Sequence, residues 1–391
     1  MRAPLVLAII VAAAASGSAW QSAIAPPKPE ALSATETIIL TNGWAALAEG
    51  KFDFARQKVA EAFAAAPHSV HALALAIEID IAQKDSNAAL ATYETWLGRR
   101  TLDEPFTLRR IARAALFEAS RLQGAPVGTR LNALRALAEE GEPAARTALE
   151  NQAFRVPGST GALPETQVLT SMGDPRAVSQ AINYLGAAVP GKANLMAALA
   201  DSRSPEAIQP LIRMLKDPEP ANVAAAAEAL GRLDARGAMA QLRDVYSAQS
   251  SIFPVRMAAA GALYRMGDST GQPQLRSWLT SGPAAVRVEA ARAMASQPDP
   301  EWQAAVREVL TSDDPSALIA GASLIAPYDL QLATETIGRL MNSSNVVVRE
   351  KAAQVLAKQL ATDFRVLRGL MRSGDVGTRA AAAARVLELT R

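Results

Sequence analysis

"PVRMAAAGALYRMGD", residues 254–268, is followed thirty-one residues on by "AVRVEAARAMASQPD", residues 285–299, and preceded by the looser copy "NVAAAAEALGRLD", residues 222–234. The two closer copies open on valine–arginine, and all three run through small residues to a large apolar one and then aspartate. Within the first, Val255, Ala259, Ala262, Leu263 and Met266 fall at i, i+4, i+7, i+8 and i+11, which is one stripe along a helix.

The large apolar residue that ends each alanine run marks a beat along the chain. It falls at Leu137, Leu169, Leu199, Leu230, Leu263, Met294, Ile325, Leu356 and Leu387, with gaps of 32, 30, 31, 33, 31, 31, 31 and 31. Independent helices would not keep such an interval. Between the markers runs a second amphipathic segment carrying Leu242-Arg243, Leu275-Arg276, Val306-Arg307 and Leu367-Arg368. The turns contain "GD", "SGP", "PDP" and "DDP", which stop one helix and cap the next. Each unit is therefore a helical hairpin whose apolar stripe needs a neighbour to cover it. The fold expected is all-α, a right-handed α-α superhelix: a solenoid of helical hairpins.

Val255, Arg256, Ala258, Ala259, Ala262 and Leu263 resemble the HEAT-type repeat, in particular the short variety of the phycobilisome lyases. The resemblance covers roughly residues 127–391, with degenerate units before residue 190 and at 317–326. It implies a stacked-helix fold and says little about activity.

Upstream the period is 34. Phe52, Ala55, Val59 and Ala62 form one helix face after a tight turn at Gly50, with Pro67 ending the hairpin. Ala89, Tyr93 and Trp96 stand 34 residues after Ala55, Val59 and Ala62. These hairpins resemble a pair of tetratricopeptide repeats, with Gly43 near the helix-packing glycine and Thr101 where a second proline would stand. A further helix is expected over 103–123. The domain plan is then a signal peptide at 1–19, a proline-rich spacer at 20–34, tetratricopeptide-like hairpins at 35–123, and a HEAT-like solenoid at 127–391.

The signal peptide rests on "MRAPLVLAIIVAAAASGSA". A single cation, Arg2, precedes an apolar run from Leu5 to Ala15, and Gly17 and Ala19 take the −3 and −1 positions of a cleavage site. The run is shorter than the ~20 residues a membrane span needs. Without cysteine the chain has no lipobox, disulfide, thiolate metal site or thiol nucleophile. Forty basic and 38 acidic residues give a net charge of +2, with no basic stripe to hold nucleic acid.

Several stretches carry the letters of chemistry. "GDSTG", Gly267–Gly271, matches a G-x-S-x-G nucleophile elbow, but the elbow needs a strand-to-helix turn and a histidine, and here it falls on an inter-helix turn. His68 and His71 would place two imidazoles on one helix face, short of the three or four ligands zinc takes. Glu139-Glu140 and Asp313-Asp314 are adjacent carboxylates; neighbours on a helix point apart, so solvation and N-capping are expected. Arg256, Arg287, Arg349 and Arg379 recur at one repeat position and are expected as a ladder, each bonded to an acid or carbonyl of the adjoining turn. "GSTGALPE", 158–165, lacks a P-loop lysine and reads as a linker, and Asn342 opens a formal glycosylation sequon.

The sequence thus assigns no catalytic, cofactor or metal residue and no cofactor. It leads to the expectation of an exported, non-enzymatic scaffold, periplasmic or secreted from a bacterium, that binds other proteins through its solenoid surface. Neither nucleic acid nor stable membrane insertion after signal cleavage is expected. The alternatives are a bilin-lyase-like enzyme, implied by the phycobilisome-lyase resemblance, and an assembly factor of a membrane complex.

Overall fold

A computed structural model describes residues 32–98, 103–155, 162–297 and 300–391. The expected signal peptide, residues 20–31 of the expected spacer, residues 158–161 of "GSTGALPE", Thr101 and the first two residues of the "PDP" turn lie outside the described residues. The chain is all-α, with no strand among the described residues, and no described helix is long and apolar enough to cross a membrane.

Contacts divide the chain into two compact units. One joins the described part of Met1–Ala145 to Ala357–Arg391, and the other is Arg146–Leu356.

In the first unit, α1 (Ala34–Ala48), α2 (Phe52–Ala65), α3 (Val70–Ala82) and α4 (Ser86–Leu97) form two hairpins, followed by α5 (Pro105–Arg121) and α6 (Val127–Glu139). Ser33 and Glu36 build a reciprocal capping box that starts α1. Gly50 turns the chain at φ +73° between α1 and α2. Gly43 allows α1 to approach α3, since a Cβ there would stand 2.5 Å from Leu75 Cδ2. Of the faces expected from the 34-residue offset, Ala55, Val59, Ala62, Ala89 and Tyr93 are buried, and Phe52 and Trp96 are half-buried.

In the second unit, α7 (Pro143–Ala153) leads into α8 (Leu163–Ser171), α9 (Pro175–Leu185), α10 (Lys192–Ser202), α11 (Ile208–Met214), α12 (Pro220–Arg232), α13 (Met239–Ser247) and α14 (Phe253–Arg265). It continues with α15 (Gln272–Ser281), α16 (Ala284–Met294), α17 (Glu301–Val309), α18 (Pro315–Ile325), α19 (Leu330–Met341) and α20 (Val346–Val355). From α8 to α20 each even-numbered helix packs on the next even-numbered one, so the alanine-rich helices form a layer. The odd-numbered helices pair with them as a second layer. This is the stacking expected of a helical-repeat solenoid.

Eight of the nine beat residues are at most 1% exposed, from Leu137 to Leu387. Leu356 is the exception and is only partly buried. The helix of the opening stretch, α14, is more enclosed than one stripe predicts: Met257, Ala260, Gly261 and Tyr264 are buried as well. It is flanked by α12 and α16 in its own layer and by α13 and α15 beside it.

The chain then enters a π-turn at Leu356–Leu360, and the hairpin α21 (Phe364–Met371) and α22 (Val376–Leu389) belongs to the first unit, where α22 packs on α5 and α6.

Candidate functional site

A groove of about 1040 Å³ opens in the first unit, lined by residues of α2, α3 and α4 and of the turn before α3. Phe63, Ala88, Ala91 and Trp96 supply an apolar floor, and Arg56, His68, Thr92 and Thr95 supply a polar rim.

One buried carboxylate organises the rim. Asp80, on α3, is 1% exposed. Its Oδ1 accepts from Arg56 Nη2 at 2.8 Å and its Oδ2 from the Thr92 hydroxyl at 2.7 Å. Arg56 also donates to Gln83 Oε1 at 2.6 Å, while about half of its side chain stays in solvent. A buried charge is tolerated when it is paired and hydrogen-bonded, and here the pairing fixes a guanidinium at the edge of an apolar trough. Both carboxylate oxygens are occupied, so the arrangement positions and recognises. Asp80 was legible in one respect: with Glu78 it interrupts the apolar run "AIEIDIA", and both acids find arginines. Glu78 takes Arg110 through two bonds of 2.5 and 2.8 Å. The groove itself was not legible, because its walls come from helices with no shared motif.

The histidines are not on one helix face. His68 stands exposed in the turn before α3, because Ser69 is the N-cap and sets the helix start after it, and His71 lies in the first turn. Among the described residues no group of three or more potential metal ligands occurs.

"GDSTG" is a turn between α14 and α15. Gly267 takes φ +86°, and a Cβ on Gly271 would meet Ala260 Cβ at 2.6 Å, so both glycines serve the backbone. Asp268 is buried and accepts from the Thr270 N–H at 2.8 Å and from Arg243 Nε at 2.7 Å. Burial alone would raise this carboxyl; the bonds from Thr270 and Arg243 outweigh it and hold Asp268 below the ordinary aspartate range. Both histidines belong to the other unit.

The adjacent acids separate. Asp314 caps α18, accepting from Ser316 N at 2.9 Å and Ala317 N at 3.3 Å. Glu139 is exposed and pairs with Arg135, while Glu140 is buried between Arg109 and Arg391. Solvation therefore describes Glu139 alone. Glu140 ends α6 pointing at the C-terminal hairpin, and two guanidiniums offset its burial.

The arginine ladder holds at three of its four rungs. Arg287 donates to Leu279 O at 3.0 Å and to Glu308, Arg349 to Ser343 O at 2.6 Å, and Arg379 to Ser373 O at 2.7 Å. Among the described residues Arg256 has no such bond, and its Nε is buried without a partner there. A second ladder runs through the other layer, where Arg243, Arg276 and Arg307 reach Asp268, Glu301 and Asp329 in the following repeat. Asn342 ends α19 exposed, donating to Gly338 O at 3.2 Å.

Residues 188–263, which span α10 to the last turn of α14, match the family model for HEAT repeats. The chain carries HEAT repeats. Among solved structures, the complex of CpcE and CpcF of phycocyanin lyase from Nostoc is 19% identical, over 71% of this chain and 94% of that one, with a TM-score of 0.36. Human deoxyhypusine hydroxylase in complex with glycerol is 17% identical, over 64% of this chain and 96% of that one, with a TM-score of 0.35. No curated protein sequence matches. Both structures are named for enzymes, and this corrects the expectation that the chain is not one: HEAT-repeat architecture is compatible with catalysis, and the missing sequence motifs give no ground for excluding it.

Proposed function

We propose that the protein is an exported HEAT-repeat scaffold that docks other proteins, with the groove bordered by α2 and α4 as a docking surface. The observation that carries this reading is the groove's build: about 1040 Å³ with an apolar floor and a rim fixed by the Arg56–Asp80–Thr92 contacts. Protein interfaces combine an apolar centre with a polar edge in this way. Export is supported by the cation, apolar run and small-residue pattern of residues 1–19. The hairpins' 34-residue offset supports a tetratricopeptide kinship for this part of the chain.

A photo-crosslinking residue at the exposed Thr95, in the full chain in its native host, tests the docking surface. Specific protein adducts at Thr95 that disappear when Ala88→Arg fills the groove support the reading. The same adducts from a probe at the exposed Thr334, or adducts indifferent to Ala88→Arg, overturn it.

A further inference from the structure

The last hairpin belongs with the beginning of the chain, where it is held by an apolar seam and by an unusually dense set of charged contacts. The helices α12, α14 and α16 meet closely through alanine and glycine. The hairpin α21–α22 packs closely too: α22 lies on α5 and α6, and its Ala383, Val386 and Leu387 are buried. Around it, however, runs a ring of charged contacts. Arg368 pairs with Asp103 and, at 3.4 Å, with Glu94; Arg372 pairs with Glu94. Arg109 donates to Leu387 O at 2.7 Å and to the Thr390 hydroxyl at 3.0 Å, and Arg391 donates to Glu140 at 2.6 Å.

Arg368 occupies the position that Arg243, Arg276 and Arg307 hold in earlier repeats, where each reaches an acid of the following repeat. At the end of the array it takes acids 265 and 274 residues earlier in the chain. The hairpin is thereby engaged by the N-terminal helices as one repeat engages the next.

The segment leading into the hairpin departs from regular α-helix. The α-helix α20 gives way to a π-turn at 356–360 and a non-helical break at 361–363. π-Turns are uncommon and concentrate at functional irregularities. The division between the two units falls at 356/357, within this turn. Leu356, the one beat residue without full burial, sits there too. Three separate features thus coincide: the loosened helix, the unit boundary and the weakened core position.

We propose that residues 364–391 are a latch: the hairpin releases α5 and α6 as one piece about the 356–363 hinge, at lower free energy than global unfolding, and uncovers the apolar face of α5. Leu108, Ile111 and Ala112 on α5 are fully buried in the closed state. Cooperative sub-global opening of such a terminal element is a general property of proteins with locally distinct stability.

Hydrogen exchange on the full chain decides this. Peptides from 364–391 and 105–121 are expected to exchange together, ahead of peptides from α12, α14 and α16. Arg368→Met removes the cation that pairs with Asp103 and Glu94, and should speed both latch peptides roughly tenfold or more with α12–α16 unchanged. Asp103→Asn should act alike from the other side. Arg243→Gln, which breaks a pair inside the second unit, should leave the latch peptides at the wild-type rate. The proposal is overturned if 364–391 exchanges in step with α12–α16 in the wild type. It is equally overturned if α5 stays protected while the hairpin opens, or if Arg368→Met speeds exchange equally along the whole chain.

Discussion

Gly231 of α12 lies directly against Ala262 of α14, thirty-one residues further on, and a Cβ at Gly231 would stand 2.7 Å from the Ala262 Cα. The relation repeats one step along, where a Cβ at Gly261 would stand 2.8 Å from Ala293 Cβ. Glycine to alanine in a helix interior ordinarily gains up to about 1 kcal/mol. At Gly231 the obstacle is backbone, so the sign should reverse: Gly231→Ala is expected to lose about 1–3 kcal/mol through overpacking. Gly338→Ala, where the added carbon meets nothing within 4 Å, should be neutral or stabilising. Urea unfolding of the two variants side by side reads the contrast, and equal midpoints would refute the close-approach account.

Ala259 tests the stack from the same helix. It is fully buried on α14, which is covered by four helices. A phenyl ring there has no open side, and Ala259→Phe should cost about 1–3 kcal/mol. Because each helix of the layer holds the next, the loss should appear as cooperative unfolding across several repeats. An unchanged melting curve would contradict the stacked core.

The beat was legible in the sequence because its residues do one job: Leu199, Leu230, Leu263, Met294 and Ile325 all reach the core, so each copy is under the same packing demand. The turn chemistry was legible for a similar reason, since Asp174, Asp314, Asn345 and Asp375 cap the helices that follow them. The return of the last hairpin to the first helices was not, because Arg368 and Arg109 find partners 265 and 278 residues away, and no local spacing encodes such a distance. The groove escaped for the same reason. Its decisive contact joins Arg56 to Asp80, residues on different helices whose letters carry no motif.

Asp268 makes the second unit sensitive to acid. Bonds from Thr270 and Arg243 hold its carboxyl below the ordinary value against the opposing effect of burial. A carboxyl lowered on folding contributes stability that is present above the unfolded value of about 4 and lost as pH falls through the lower folded value. Stability should therefore drop on acidification below about pH 4, and Asp268→Asn should flatten part of that dependence while lowering stability at neutral pH. Urea midpoints across pH 3 to 7 would show it; a parallel curve for the variant would remove Asp268 from the account.

Glu139 and Glu140 are neighbours in sequence and opposites in consequence. Glu139 faces solvent with Arg135 at i−4, and an exposed pair of this kind is worth within about 0.5 kcal/mol. The Glu140 side chain is 2% exposed and is held by Arg109 and Arg391. Glu140→Gln removes the carboxylate that pairs with the mostly buried Arg109, and breaking such a pair costs about 3 kcal/mol or more. The loss should be local to the first unit, because both arginines belong to it. Limited proteolysis should accordingly cut Glu140→Gln near the C-terminal hairpin while Glu139→Gln cuts like the wild type. If the two substitutions behave alike, the clasp around Glu140 contributes nothing to holding the hairpin.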